Sequence, residues 1–337
     1  MGEAATDFVV AVDLGGSLTK VAYADPQGRL SAPVRLPTHL GDGGDGLVSW
    51  LAGQIRTTAA SRSLYRCRGF GVVVPGIIDA TGGRVVAATN LGWYDVPLRD
   101  RLTALTGLPG AVAHDVRSAG VAEWRLGAAQ GVPNALFLAL GTGIAGAMVV
   151  DGRMLDADGY AGELGHVRVA AAGDLPCACG QRGCLETVAS AAGVVRTHAR
   201  LSGTGHADGV GSGGLADAGG ARGAQPGPSL AGGARRVAQL ARRGDASALA
   251  AFAVATDALT EVLLSYLTVL GPELVVIGGG LAGSADLFLP RVTSGLRDRL
   301  TIQRLPRIVP ALLGADAGVL GAGLVGWDFA RAQGGAA

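Results

Sequence analysis

Phe8-Val9-Val10-Ala11-Val12-Asp13-Leu14-Gly15-Gly16-Ser17-Leu18-Thr19-Lys20-Val21-Ala22-Tyr23-Ala24 reads as an apolar strand, a glycine turn and a second strand that ends at Asp25-Pro26-Gln27-Gly28. The plan returns far downstream, where an apolar run at 135–140 enters Gly141-Thr142-Gly143-Ile144-Ala145-Gly146 and leaves as a strand at 147–150 before Asp151-Gly152. Two copies of one hairpin point to two halves of similar design. Between them the pattern gives a strand at 71–74, an irregular segment at 75–95, and a strand at 110–113 that delivers His114-Asp115. A helix at 116–128 follows, with Asp115 placed as its N-cap.

Beyond the second hairpin the pattern predicts helices at 187–201 and 234–266, and a buried strand at 274–277 that runs into Gly278-Gly279-Gly280. A helix at 284–300, a strand at 308–311 and a small-residue helix at 314–327, packing back on the first half, complete an α/β pattern. Residues 202–233 are rich in Gly, Ala and Ser with almost no large apolar side chain, and are expected to form a flexible surface insertion without function.

With 337 residues, 49% hydrophobic and 16% charged, the chain can build two buried cores. A formal net charge of +1 argues against a nucleic-acid partner or a polybasic membrane surface, which leaves a small molecule as the default partner. Residues 1–7 carry acidic groups and no apolar core, so a cytoplasmic protein without a signal peptide is expected. The most apolar stretch, 246–270, is interrupted by Asp257 and Glu261 and fits a buried helix better than a membrane span.

The chain has four cysteines, and Cys177, Cys179 and Cys184 fall together in Cys177-Ala178-Cys179-Gly180-Gln181-Arg182-Gly183-Cys184-Leu185-Glu186, just downstream of Gly162-Glu163-Leu164-Gly165-His166. His166 and the three thiols can make a closed tetrahedral Cys₃His zinc site, which would be structural because no position is left for water. Such a site pins the loop that carries Glu163, His166 and Glu186. A disulfide is the competing reading, but cysteines one residue apart rarely reach bridging geometry, and no secretory signal is visible.

A glycine loop between strands frees backbone N–H groups to face an anion and lets the backbone approach a phosphate closely. Asp13-Leu14-Gly15-Gly16-Ser17 and Gly141-Thr142-Gly143 are two candidate clamps of this kind. Neither is a Walker loop, and each alone is equally well a tight turn; the pair is the stronger signal. Asp13 can hold Mg²⁺ through water at the first clamp, with a turn-stabilising Asx bond as the plain alternative. Gly278-Gly279-Gly280 can lie flat against an adenine or be a simple strand-to-helix turn. Asp115, its charge favoured by the helix N-terminus, can accept the proton of a hydroxyl attacking a phosphate; an ordinary N-cap is the local alternative.

Taken in order, Asp13-Leu14-Gly15-Gly16-Ser17, Leu140-Gly141-Thr142-Gly143-Ile144, Gly162-Glu163-Leu164-Gly165-His166, the three-cysteine segment and Ile277-Gly278-Gly279-Gly280 resemble the ROK family of bacterial sugar kinases and sugar-responsive repressors. The resemblance spans nearly the whole chain. It implies the actin-like ATPase (ribonuclease H-like) fold: an N-terminal α/β domain at 1–112 completed by a helix at 313–330, and a C-terminal α/β domain at 113–312 that carries a zinc loop at 166–184 and the insertion at 202–233, around a cleft.

By the same resemblance, ATP with Mg²⁺ lies on Asp13, Gly15, Gly16, Ser17, Lys20, Gly141, Thr142, Gly143, Gly278, Gly279 and Gly280. Asp115 is the catalytic base. Glu163, His166 and Glu186 grip sugar hydroxyls, and Gly76 and Thr89 match a sugar-contacting segment. His166 then serves zinc and sugar through different ring nitrogens. The family pattern has Asn before the catalytic Asp, whereas this chain has His114, which offers a sugar hydroxyl a different donor and acceptor geometry. The implied activity is hexose phosphorylation, with glucose first and N-acetylmannosamine or N-acetylglucosamine next; a polyphosphate donor stays open. The alternative of another class is a sugar-sensing repressor, which resembles a kinase with a helix-turn-helix in front, and a strand beginning near Phe8 leaves no room for one. A catalytically silent sugar-binding protein is a third reading, weakened by Asp115. The expected unit is a homodimer or homotetramer.

Overall fold

The computed structural model describes residues 7–40, 43–62, 64–203 and 230–334. Most of the glycine-rich segment expected as an insertion, 204–229, lies outside the described residues. Contacts divide the chain into two compact units, the first built from Met1–Gly131, Met154–Ala161 and Leu313–Ala337, the second from Val132–Arg153 and Gly162–Leu312.

The first unit opens with β1 (Phe8–Leu14), β2 (Leu18–Ala24), β3 (Val34–Pro37), α1 (Gly43–Ala60) and β4 (Cys67–Val74). It continues through β5 (Ile77–Asp79), β6 (Arg84–Ala88), β7 (Trp93–Val96), α2 (Leu98–Thr106), β8 (Gly110–His114) and α3 (Asp115–Leu126). The second unit holds β9 (Ala135–Leu140), β10 (Ile144–Val150), the short β11 (Arg153–Met154), α4 (Glu186–Ala189), α5 (Ala191–Leu201), α6 (Leu230–Arg242), α7 (Ala246–Leu270), β12 (Leu274–Gly278), α8 (Ala285–Arg299) and β13 (Arg307–Pro310). The chain then returns to the first unit as α9 (Ala317–Gly334).

The two main sheets share one topology, β3-β2-β1-β4-β8 and β11-β10-β9-β12-β13. In each, an antiparallel hairpin, β1 with β2 or β9 with β10, continues into two parallel strands. The duplicated α/β plan is the actin-like ATPase design expected from the sequence.

Central position explains the unbroken apolar runs, since a strand covered on both faces needs no polar alternation. On one face of β1, Phe8, Val10, Val12 and Leu14 join Leu47, Leu51 and Ile55 of α1 and Leu98 and Leu102 of α2 in one core. Truncating Leu51 to Ala there costs about 2–5 kcal/mol. On the other face Ala11 and Val73 meet Val319 and Ala322 of α9. The small residues of α9 serve this close approach: a Cβ on Gly71 of β4 would fall 1.9 Å from the Ala322 carbonyl oxygen. Trp327 Nε1 donates to the Ala24 carbonyl at 3.1 Å and anchors the same helix to β2.

Several expected boundaries move. Segment 75–95 is a three-stranded sheet, β5-β6-β7, with a 3-10 turn at Thr89–Leu91. The first unit runs on to Gly131 instead of ending at 112, because α3 packs on α9. The helix predicted at 187–201 breaks at Ser190, whose hydroxyl caps α5 by accepting the Gly193 N–H at 3.1 Å. The one predicted at 234–266 is two helices: Gly244 takes a left-handed φ of 87° and Asp245 caps α7 through the Ala248 N–H. Helix α7 is long and apolar enough to cross a membrane by length and composition, yet 56% of its most apolar window is buried within the protein.

Candidate functional site

In the first unit, the turn after β1 is closed by the Gly15 N–H donating to the Leu18 carbonyl at 3.1 Å. The Thr38 hydroxyl donates to the Gly15 carbonyl at 2.7 Å and the Thr38 N–H to the Ser17 carbonyl at 3.1 Å, so the segment after β3 holds the turn from outside. Asn90 approaches from the other side: a Cβ on Gly16 would lie 3.5 Å from its Nδ2. Neither Thr38 nor Asn90 stood out in the sequence, because their roles depend on strands that arrive from elsewhere in the chain.

Asp13 ends β1 with its carboxylate 3.2 Å from Lys20 Nζ, which also donates to the Ala315 carbonyl. A Cβ on Gly318 would come within 2.6 Å of Asp13 Oδ2, so the acid reaches the first turn of α9, whose free N–H groups favour negative charge. Burial pushes the Asp13 carboxyl above its usual range; Lys20 opposes the shift, while the charges of Asp115 and Asp316 add to it. Asp13 and Asp115 are therefore close enough to feel one another.

Asp115 is not the N-cap of α3. That place belongs to His114, whose Nδ1 accepts the Arg117 N–H at 3.2 Å, and Asp115 is the first helical residue, its Oδ1 accepting the Val116 N–H at 2.7 Å. A sequence reading favours Asp over His as a cap, but the strand β8 ends at His114 and leaves its buried ring facing the first turn. Burial raises the Asp115 carboxyl, against the backbone N–H bonds and the Arg117 guanidinium, which lower it. Arg117, itself buried, reaches back to the Ala161 carbonyl at 3.2 Å and to Asp156 at 3.3 Å.

Gly76 and Thr89 are also brought together here. Gly76 has φ of 114° and sits so close to β6 that a Cβ would lie 2.2 Å from the Ala87 carbonyl oxygen, two residues before Thr89. Only glycine fits.

In the second unit, the Gly141 N–H donates to the Gly143 carbonyl at 2.9 Å and closes the β9–β10 turn. Gly279, with φ of 84°, presses on the Leu140 carbonyl, and Gly280 lies beside Gly141. The second and third glycine motifs thus form one surface of bare backbone. Glu186 joins them: its Oε2 accepts the Ile144 N–H at 3.0 Å.

His166 Nδ1 faces Cys177 Sγ at 3.7 Å, and Cys179 Sγ and Cys184 Sγ are also 3.7 Å apart. All four candidate ligand atoms lie within 4.8 Å of one another. Zinc–sulfur bonds of about 2.3 Å in a tetrahedron give edges near 3.8 Å, so the donor set fits a zinc ion. It does not fit a disulfide, whose sulfurs lie about 2.05 Å apart. Burial, with the neighbouring thiols adding to it, pushes the Cys184 thiol up to about 12; a bound cation would reverse that preference. The other ring nitrogen, Nε2, points toward Glu163 at 3.8 Å. Burial, with the charge of Glu163 adding to it, raises the phenol of Tyr266 of α7.

The arrangement supplies two carboxylates, Asp115 at the start of α3 and Asp13 on a glycine turn, in one unit. In the other it supplies a glycine surface tied to a Cys₃His cluster with two further carboxylates.

Residues 9–326 match the model of the ROK family. The chain is 34% identical to the glucokinase of Halalkalibacterium halodurans over 325 residues, covering 94% of each protein. It is similar in structure to the ROK hexokinase from Thermus thermophilus, with a TM-score of 0.76 and 30% identity over 96% of this chain and 99% of that one. A ROK family glucokinase from Streptomyces griseus, solved in complex with glucose and AMPPNP, gives a TM-score of 0.74 and 25% identity over 95% and 99% of the two chains.

Proposed function

Since the chain belongs to the ROK family, we propose that it is an ATP-dependent hexose kinase of the glucokinase kind, transferring the γ-phosphoryl group of ATP to glucose. The observation that carries this reading is the placement of Asp115: a carboxylate raised by burial at the start of α3, within reach of the charge of Asp13 on the glycine turn.

In the proposed reaction the attacking sugar hydroxyl passes its proton to Asp115 as its oxygen bonds to the γ-phosphorus and the bond to the ADP oxygen breaks. The raised carboxyl suits this work, because a base is most effective when its pKa approaches the working pH. The backbone of Gly15, Gly16 and Ser17 and of Gly141, Thr142 and Gly143 holds the phosphates, and Lys20 keeps Asp13 aligned. Mg²⁺, held near Asp13, supplies charge neutralisation on the phosphates when bound. Gly278, Gly279 and Gly280 receive the adenine.

Glu163, His166 and Glu186, with Gly76, Thr89 and His114, bind the sugar. His166 Nδ1, Cys177, Cys179 and Cys184 hold a structural zinc ion, which leaves His166 Nε2 and Glu163 on the sugar side. We place the enzyme in the cytoplasm, where ATP is available. A coupled assay over glucose, mannose, N-acetylmannosamine and N-acetylglucosamine, with ATP and with polyphosphate as donors, tests the reading. Turnover highest with glucose and ATP is expected, and no turnover with any pair would overturn it.

A further inference from the structure

We propose that Glu186 is a positioning residue for nucleotide as well as a sugar ligand: its carboxylate ties the cysteine-bearing segment to the β9–β10 turn and sets the direction of the phosphate-binding amides. The inference rests on the reading of Gly141, Thr142 and Gly143 as a nucleotide clamp. It goes beyond that reading by making clamp geometry depend on a residue of the sugar side.

Two bonds hold the turn from the same short stretch of chain. Glu186 Oε2 accepts the Ile144 N–H at 3.0 Å on one limb, and the Ala191 N–H donates to the Gly141 carbonyl at 2.8 Å on the other. A third, between the Gly141 N–H and the Gly143 carbonyl, closes the turn itself. With these in place, the Thr142 and Gly143 N–H groups take no acceptor among the described residues, so these two amides remain for a phosphate. The fit is close: a Cβ on Gly143 would fall 2.6 Å from Glu186 Oε2.

The stretch that makes these bonds starts at the cluster. Cys184 contributes a sulfur to it, the Leu185 N–H donates to the Val167 carbonyl at 2.8 Å, and Thr187 bonds the Cys184 carbonyl through both its N–H and its hydroxyl. Arg196 of α5 reaches the Thr187 carbonyl at 3.1 Å, and its guanidinium lies within the field of the Glu186 carboxylate. A carboxylate beside a phosphate site would repel the ligand if it were loose. Here one oxygen is committed to the Ile144 N–H, and the Arg196 guanidinium stands within the field of the carboxylate.

The test is calorimetric titration of the full-length, zinc-loaded protein with AMP-PNP and Mg²⁺ in the absence of sugar, for wild type, Glu186→Ala and Glu186→Gln. Loss of a hydrogen bond to a charged acceptor predicts roughly tenfold weaker binding for Glu186→Ala. Glu186→Gln keeps a carbonyl that can take the Ile144 N–H, and is expected within about twofold of wild type. In steady state the KM for ATP rises in the alanine variant and not in the glutamine variant, whereas the KM for sugar rises in both. Equal AMP-PNP affinity for Glu186→Ala and wild type overturns the inference, as does equal loss in the two variants. If Glu186→Ala does not fold, Gly143→Ala probes the same contact from the other side, and unchanged AMP-PNP affinity there also overturns it. Absence of AMP-PNP binding to the wild type overturns the clamp reading and this inference with it.

Discussion

His114 Nδ1 accepts the backbone N–H of Arg117 at 3.2 Å, and that one bond caps the start of α3 and selects the tautomer of the neutral ring. An acceptor Nδ1 carries no proton, so neutral His114 has its hydrogen on Nε2. Asp115, one position inside the helix, is thereby held with its carboxylate at the first turn.

His114→Asn keeps the cap, because Asn Oδ1 is a strong acceptor for the same N–H. It replaces the Nε2 donor by an amide at a different reach. Melting temperature is expected to stay close to wild type, and the rank order over a hexose panel to change more than the maximal rate. An unchanged rank order would leave His114 as a helix cap alone.

Asp115→Asn retains an acceptor for the Val116 N–H and relieves a carboxylate that burial disfavours, so stability should change by no more than ~1 kcal/mol. Loss of the proton acceptor predicts a fall in turnover of ~10²–10⁴, with AMP-PNP affinity retained. Near-normal turnover would move the base elsewhere, with Glu163 the next residue to test.

The acid limb of the kcat/KM profile should lie above the ordinary carboxylate range near ~3.9, because the proposed base has to be ionised to accept a proton and the folded Asp115 carboxyl is raised. Activity is lost as pH falls through that raised value. The stability sign is opposite: the folded state binds this proton more readily than the unfolded chain, so Asp115 alone stabilises the fold as pH falls through the same window. The limb is thus separable from unfolding, which parallel melts would verify. Arg117→Gln removes a charge that lowers the Asp115 carboxyl, and should move the limb to higher pH; a shift to lower pH would contradict the assignment.

Legibility in the sequence followed the physics of each element. The hairpins β1–β2 and β9–β10 were readable because apolar runs flank glycine turns, and β12 because a doubly covered strand is unbroken. Strands β5 to β7 were not, since they are short and mixed, paired only with one another, and so lack the long apolar run that marks a central strand. The break at Ser190 carries no Gly or Pro, whereas Gly244-Asp245 is a stop and start signal that an apolar pattern on both sides obscured. The Cys₃His grouping was visible in spacing alone. The bond from Glu186 to Ile144 was not, because it joins residues that only the fold brings together.

The Cys₃His cluster gives the most direct test of the metal reading. Two opposite edges of the expected tetrahedron, Cys177 to His166 and Cys179 to Cys184, are already 3.7 Å. Purified protein should therefore hold about one zinc per chain after removal of loosely bound ions, measured by metal analysis. Four protein ligands would leave no coordination position for substrate, so an ion bound there would act through the loop it fixes and not in the transfer step. Strong chelation, or Cys179→Ser, should lower the melting temperature and weaken glucose binding together, because Glu163 precedes His166 and Glu186 follows Cys184. If Glu186 also braces the β9–β10 turn, AMP-PNP affinity falls in the same samples. Active protein with substoichiometric zinc, or chelation that lowers stability while leaving sugar affinity intact, would separate the cluster from the site it is argued to support.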